Sequence, residues 1–213
     1  MNKKNFYIVG AGDFSRELYC WIDFDSDEFS RHQFAGFLSD DREILNEFDG
    51  YELGVVAGAN EFSPAKGDRF LMGITDPKDK IKLYNDYKEK GAVFESFVHP
   101  TVIKSKHVTI GEGCIICPNV VLSCHASVGE LVMINIGSTI GHDTKIGMGC
   151  TINCHVDLMG YAVLEKGVYV GSHGCVLPRT RVGEFAVIGA SSVALKRVGA
   201  GKTIFGVPGK YIS

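Results

Sequence analysis

From Ile110 onward, every sixth residue is aliphatic. Ile116, Leu122, Val128, Ile134, Ile140, Ile146, Ile152, Leu158, Leu164, Val170, Val176, Val182, Ile188 and Ala194 follow without a slip. About half of the residues in a soluble chain are apolar, so fifteen such positions in a row arise by chance roughly once in tens of thousands. The next position is glycine seven times, at Gly111, Gly129, Gly141, Gly147, Gly171, Gly183 and Gly189. Two residues before each aliphatic the side chain is small or β-branched, from Cys114 and Ala126 to Ala186 and Ser192. An α-helix returns to one face every 3.6 residues, so a period of six is not helical. It predicts a three-sided parallel β-helix, with every sixth side chain inward and three short strands closing each coil. Eighteen residues per coil give about five coils. Because the register never slips, no loop is extruded, and this half must act through its coils and their neighbours.

The first half follows a different pattern. "NFYIVGAG" reads as a buried strand ending in a glycine turn, and "DFSRELYCWI" as the helix after it. "FAGFLSDD" is a second strand ending in two carboxylates. "RFLMGITDPKDKIKLYNDYKEKG" gives a strand, a turn at Asp76-Pro77 and a helix stopped by Gly91, and "AVFESFV" a last strand. Strands alternating with helices predict a parallel sheet. Residues 1–98 are therefore read as a small α/β domain, about half of a full dinucleotide-binding fold, and residues 99–213 as the β-helix with a short C-terminal extension.

Composition narrows the partners. The chain has 213 residues, 45% apolar and 22% charged, with a formal net charge of −3. No basic tract stands out, so nucleic acid is not an expected partner. The run "FYIVGAG" is too short and too rich in glycine for a membrane span or signal peptide, and a cytoplasmic protein is expected. Seven cysteines, an odd number, do not suggest a secreted disulfide framework.

The residues with chemistry to offer lie in "STIGHDTKIGMGC". His142 comes two residues after an inward aliphatic, near a corner of the prism, and Asp143 follows at once. The plain reading is a solvent-facing or trimer-packing histidine. Against it, a carboxylate beside an imidazole can fix its tautomer. The same row one coil on carries Gly160, whose N–H would lie about one strand spacing, 4.8 Å, away. A base, an orienting carboxylate and an amide donor are what acyl transfer from a thioester requires. Two other motifs carry less. "VGAGKT" lacks the first glycine and the strand–loop–helix setting of a phosphate-binding loop. "CIIC" has metal spacing, but Cys114, like Cys150, falls in the small-residue slot, and no metal is expected.

The hexad array resembles the left-handed β-helix acyltransferases. With "GAGDFSREL", "FLSDD", "GHD" and the ending "GVPGK", the chain is similar to the sialic acid O-acetyltransferase-like group, which includes N-acetyltransferases of nucleotide-linked 4-amino sugars. That resemblance covers essentially the whole chain. It implies a homotrimer that uses acetyl-CoA to acetylate the amine of a nucleotide-linked 4-amino-4,6-dideoxy sugar for bacterial surface polysaccharide. It makes His142 the general base, Asp143 its partner and Gly160 the amide donor to the thioester oxygen. Thr151, Ser172 and Ala190, with Gly160, would touch the cofactor, whose groove extends to "GVPGK". Relatives often carry a second histidine where this chain has Thr151, so the thioester contacts differ in detail. Gly12, Asp13 and Phe14 would hold the nucleotide sugar, with Asp40 and Asp41 on its base and ribose. Thr75 stands where glycine is usual in that pocket. His155 and His173 should stack, as should His125 and Asp143, each pair being eighteen residues apart.

Three other functions compete. O-acetylation of a sialic acid or similar sugar would use the same residues on a hydroxyl. A carbonic anhydrase of this fold needs three zinc-binding histidines, whose spacing His125, His142, His155 and His173 do not show. A scaffold without catalysis would have no use for His142.

Overall fold

A computed structural model of the chain describes residues 4–23, 31–51 and 53–213. It falls into two compact units, Met1–Thr75 with Lys82–Glu95, and Asp76–Ile81 with Ser96–Ser213.

The first unit is built on a five-stranded sheet. Its strands are β1 (Lys4–Val9), β2 (His32–Leu38), β3 (Val55–Ala57), β4 (Arg69–Met72) and β5 (Val93–Phe94), in the order β3-β2-β1-β4-β5. Every pairing is parallel. Helix α1 (Asp13–Trp21) follows β1 and buries Phe14, Ser15 and Leu18, the one-sided pattern of a helix laid on a sheet. Phe6, Ile8, Phe37, Phe70, Leu71 and Phe94 have almost no exposure and form the core with Tyr87. The Tyr87 hydroxyl donates to the Ala59 carbonyl at 2.8 Å, so the ring is buried with its polar tip satisfied. The short β3, flanked by glycines, was not anticipated from the sequence.

The second unit is a parallel β-solenoid. Two-residue strands recur every six residues from Phe97–Val98 to Val193–Ala194, and those up to Cys175–Val176 each pair with the strand eighteen residues on, as Thr139–Ile140 does with Asp157–Leu158. With the later Thr203–Phe205 and Lys210–Tyr211 they form sheets of six, five and eight strands. The aliphatic row is the interior: Ile110 is partly exposed, and every later member is buried. Burying one such side chain is worth about 1.5–3 kcal/mol, so the repeat itself supplies the stabilisation. The following glycines let the coils close. A Cβ on Gly111 would lie 2.6 Å from the backbone nitrogen of Glu130 in the next coil. After Ala194 the chain adds Thr203–Phe205, parallel to Val187–Ile188, then turns through Gly206–Gly209 into the antiparallel Lys210–Tyr211.

"AVFESFV" is not one strand of the first sheet. Val93–Phe94 pairs with β4, whereas Phe97–Val98 pairs with Ile115–Ile116 and is the first rung of the solenoid. Ser96 sits in coil register, its hydroxyl taking the Cys114 N–H and donating to the Gly111 carbonyl, both at 3.0 Å. Lys104 occupies an aliphatic slot and hides this early coil from the hexad pattern.

The first turn of α2 (Pro77–Glu89) belongs with the solenoid. Ile81 fills the space that a side chain on Gly149 would need, its Cδ1 lying 2.4 Å from that Cβ position. Lys80, 1% exposed, donates from Nζ to the Cys150 carbonyl at 3.0 Å and to the Thr151 hydroxyl at 2.8 Å.

Candidate active site

His142 and Asp143 form a corner of the solenoid directly after Ile140 and Gly141, and Asp143 takes the left-handed backbone that the corner requires. Nδ1 of His142 lies 2.9 Å from Oδ2 of Asp143, with the imidazole about half exposed. A carboxylate at Nδ1 favours the tautomer protonated there and leaves the lone pair on Nε2. That nitrogen lies over Gly160. A Cβ at residue 160 would be 2.6 Å from Nε2 and 2.7 Å from Cε1, so only glycine admits this imidazole.

The amide next to it is available. Met159 N–H donates to the Val176 carbonyl and Tyr161 N–H to the His142 carbonyl, each at 3.0 Å. Among the described residues no acceptor takes the Gly160 N–H. One corner therefore offers a basic nitrogen, a carboxylate that orients it and an unengaged amide donor. This is the equipment for attack on a carbonyl whose oxygen gains charge.

Two residues of this corner were missed by sequence reasoning. Tyr161 meets the His142 ring edge-on, centroids 5.2 Å apart and planes at 89°. The Arg179 guanidinium lies 4.3 Å from the Tyr161 ring centroid. Both stand in the row of Asp143, one and two coils on, so the eighteen-residue period could have found them. In the same row His107 and His125 stack at 4.9 Å. His125 thus has an imidazole rather than Asp143 as its partner, because the Asp143 carboxylate is turned to His142. His155 and His173 stack as expected, at 5.2 Å and 16°.

The expected cofactor contacts separate. Thr151 has no exposed surface, and its hydroxyl accepts from Lys80. The reason is the Asp76–Ile81 segment, which covers that rung. Ser172 is half-buried and Ala190 exposed. They follow strands Tyr169–Val170 and Val187–Ile188, in a different sheet from the Thr139–Ile140 strand that carries His142. Gly160 is therefore the one of these four at the His142 corner. A cleft of about 320 Å3 at the C-terminal end is lined by Lys196, Arg197, Tyr211 and Gly209 of "GVPGK". Cys114 is buried, its thiol donating to the Gly129 carbonyl and pushed up to about 11 by burial. Among the described residues no cluster of three or more His, Cys, Asp or Glu is placed to hold a metal ion.

The first unit brings its candidates to one end of the sheet. Gly12 precedes α1, Asp40 and Asp41 follow β2, and Thr75, half-buried, follows β4. These are carboxyl ends of parallel strands, at the β1/β4 switch point where open sheets receive ligands. Gly12 caps α1 without a side-chain hydrogen bond, and the first helical bond is Arg16 N–H to the Gly12 carbonyl at 3.1 Å. The N–H groups of Asp13 and Phe14 are left pointing outward from the helix start. The Phe14 side chain is buried, so only its amide is on offer, and the Asp13 carboxylate pairs with Arg16. Ser15, standing where a G-x-G-x-x-G dinucleotide-binding turn begun by Gly10 and Gly12 would have its third glycine, is fully buried and donates to the Gly73 carbonyl at 3.2 Å. Asp40 accepts the Asn60 N–H at 3.1 Å and its side-chain amide, and these bonds hold its carboxyl below the usual range. Asp41 accepts the Glu43 N–H at 3.1 Å. Asn60 also lines a cleft of about 400 Å3 with Asp86, Tyr87 and Lys90.

No protein-family model matches the chain. Over 189 residues it is 29% identical to GDP-perosamine N-acetyltransferase of Escherichia coli O157:H7, covering 87% of this chain and 84% of that one. Its fold is similar to PerB of Caulobacter crescentus, solved in complex with CoA and GDP-perosamine. The TM-score is 0.82 at 22% identity, over 98% of this chain and 97% of that one. It is also similar to the acetyltransferase domain of PglB from Neisseria gonorrhoeae, solved with acetyl coenzyme A. There the TM-score is 0.85 at 19% identity, over 99% and 100% of the two chains. The resemblance drawn from the hexads, the N-terminal domain and "GHD" is thus met by sequence and fold together.

Proposed function

We infer that this chain is an acetyl-CoA-dependent N-acetyltransferase whose acceptor is the amino group of a nucleotide-linked 4-amino-4,6-dideoxy sugar. The observation that carries this reading is the seat of His142, with Nδ1 on Asp143 and Nε2 over Gly160. The sugar amine attacks the thioester carbonyl carbon, and a C–N bond forms. Its proton passes to Nε2 of His142, while the carbonyl oxygen, now negative, is held by the Gly160 N–H. Collapse of the adduct breaks the C–S bond, and the CoA thiolate departs and takes up the proton. The similarity to GDP-perosamine N-acetyltransferase over most of both chains supports an amine acceptor and a nucleotide carrier.

In this reading the first unit holds the nucleotide. The uncapped start of α1 suits a diphosphate, since helix N-termini offer N–H groups and a partial positive charge. Asp40 and Asp41, which follow β2 at the same end of the sheet, are assigned to the base and ribose hydroxyls. The cationic cleft at Lys196 and Arg197 suits the phosphates of CoA. The working form is a homotrimer of left-handed β-helices. Ser172 and Ala190 belong to a different edge of the prism from His142, so a groove between two protomers would let both edges serve one cofactor. We place the enzyme in the cytoplasm, in synthesis of a bacterial surface glycan such as O-antigen.

The test is a panel of UDP-, dTDP- and GDP-linked 4-amino sugars with acetyl-CoA, following free thiol release, with the mass in solution measured in parallel. Release with one nucleotide amino sugar, by a species near three times the 23.2 kDa chain, is expected. Release only with a free sialic acid would replace this reading by O-acetylation, and full activity as a monomer would remove the shared groove.

A further inference from the structure

We propose that Tyr161 is a positioning residue for the acyl-transfer step, holding the His142 imidazole so that Nε2 stays over Gly160, with Arg179 bracing the tyrosine ring. This rests on the reading of His142 as the base.

The imidazole stands on an exposed corner, its side chain 55% accessible, and its hydrogen bond to Asp143 is to an adjacent residue that is itself 36% accessible. One bond of that kind fixes a nitrogen but leaves the ring free to swing about it, and exposed pairs give little ordering energy. A second contact from another direction is needed to define the plane, and Tyr161 supplies it. The rings meet edge to face at 5.2 Å and 89°, a preferred geometry for aromatic pairs. Both backbones are tied, because the Tyr161 N–H donates to the His142 carbonyl at 3.0 Å.

Tyr161 is itself 42% exposed and needs support. Arg179, one coil further, provides it. Its N–H bonds the Gly160 carbonyl at 3.1 Å, and its guanidinium lies over the Tyr161 ring, a cation–π contact. Among the described residues no carboxylate pairs with Arg179, so the ring is what locates its charge. The Tyr161 hydroxyl makes no hydrogen bond among the described residues, so the ring and not the hydroxyl does the holding. Coil spacing builds this stack, with each residue reaching one rung back along the corner.

The experiment is steady-state kinetics on the full-length enzyme with acetyl-CoA and its nucleotide amino sugar. Tyr161→Ala should lower kcat by roughly 10- to 100-fold, the range for a misaimed catalytic group, with little change in either KM. Tyr161→Leu, which keeps bulk without an aromatic ring, should show the same loss and guards against a folding defect in the alanine variant. Tyr161→Phe should restore most of the turnover, and Arg179→Met should lose less than Tyr161→Ala. The double variant His142→Ala/Tyr161→Ala should be no slower than His142→Ala alone, because Tyr161 acts through the imidazole. Additive losses, or a raised KM in place of a lowered kcat, would overturn the proposal, as would a Tyr161→Phe enzyme as poor as Tyr161→Ala. Full activity of Tyr161→Ala beside an inactive His142→Ala defeats this proposal alone. Full activity of His142→Ala defeats the mechanism beneath it as well.

Discussion

The amine of Lys80 and the hydroxyl of Thr151 meet at 2.8 Å, seventy-one residues apart in the chain, where neither side chain is reached by water. Desolvation pulls the Lys80 ammonium down to about 7, with Cys150, Cys114 and Asp76 pulling weakly the other way. Burial pushes the neighbouring Cys114 and Cys150 thiols up, to about 11 and about 12. Between pH 7 and 9 the folded lysine is neutral while the unfolded one is charged, so unfolding takes up a proton. Stability therefore rises with pH in this window, by at most about 1.4 kcal/mol per pH unit. Below pH 7 both forms are protonated and the full cost of burying the charge remains. Above pH 9 the unfolded thiols ionise while the buried ones do not, and stability falls again. Urea titrations from pH 6 to 10 should show a maximum near pH 9, and Lys80→Met should remove the rise between 7 and 9. An unchanged slope in that variant would mean that Lys80 is not its source.

Gly160→Ala is the most direct probe of the seat of His142. The added Cβ would stand 2.6 Å from Nε2, closer than real Cβ contacts come, and the imidazole must give way. The backbone at 160 is not left-handed, so alanine brings no backbone strain. Turnover should fall by roughly 100-fold, as expected for a reacting group displaced by about 1 Å. The melting temperature should hardly change. Wild-type kinetics in this variant would show that Nε2 need not lie there.

His142→Ala should lower kcat by about 10²–10⁴-fold, the usual range for one general base, and leave the affinity for acetyl-CoA nearly intact. Asp143→Asn keeps an oxygen that can accept from Nδ1, so its loss should be smaller. Asp143→Leu, which leaves Nδ1 with no acceptor, should be the more damaged of the two. Thiol-release assays on the three purified variants give the ranking, and equal losses in Asn and Leu would assign Asp143 to charge and not to orientation.

Asp40→Ala should act on binding. Its carboxylate organises Asn60 at the carboxyl end of the first sheet, far in sequence from His142. Loss of a charged hydrogen-bonding group is worth about 1.5–3 kcal/mol, which should appear as a raised KM for the nucleotide sugar with that for acetyl-CoA unmoved. A fall in kcat alone, at constant KM, would count against the first unit as the nucleotide site.

The solenoid was legible because its geometry is periodic. Each inward aliphatic, each glycine where coils touch and the pairing of His142 with Gly160 follow from a spacing of six and eighteen residues, which depends only on strand length and corner length. The α/β alternation of the first unit was legible for the same kind of reason, up to the short β3 and the reassignment of Phe97–Val98. Side-chain direction has no such period. That Asp143 turns to His142 and leaves His125 to His107 is a choice of rotamer, made by the neighbours on the corner. Tyr161 could be placed one coil from Asp143 by counting, yet its edge-on contact with the imidazole is a matter of torsion angles. Lys80 had no signature at all. In "PKDKIKLYNDYKE" it is one of four lysines on a polar helix, and only the packing of that helix's first turn over the rung of Cys150 and Thr151 takes one of them out of water. Contacts between segments distant in sequence are decided by which surfaces the folded backbone brings together.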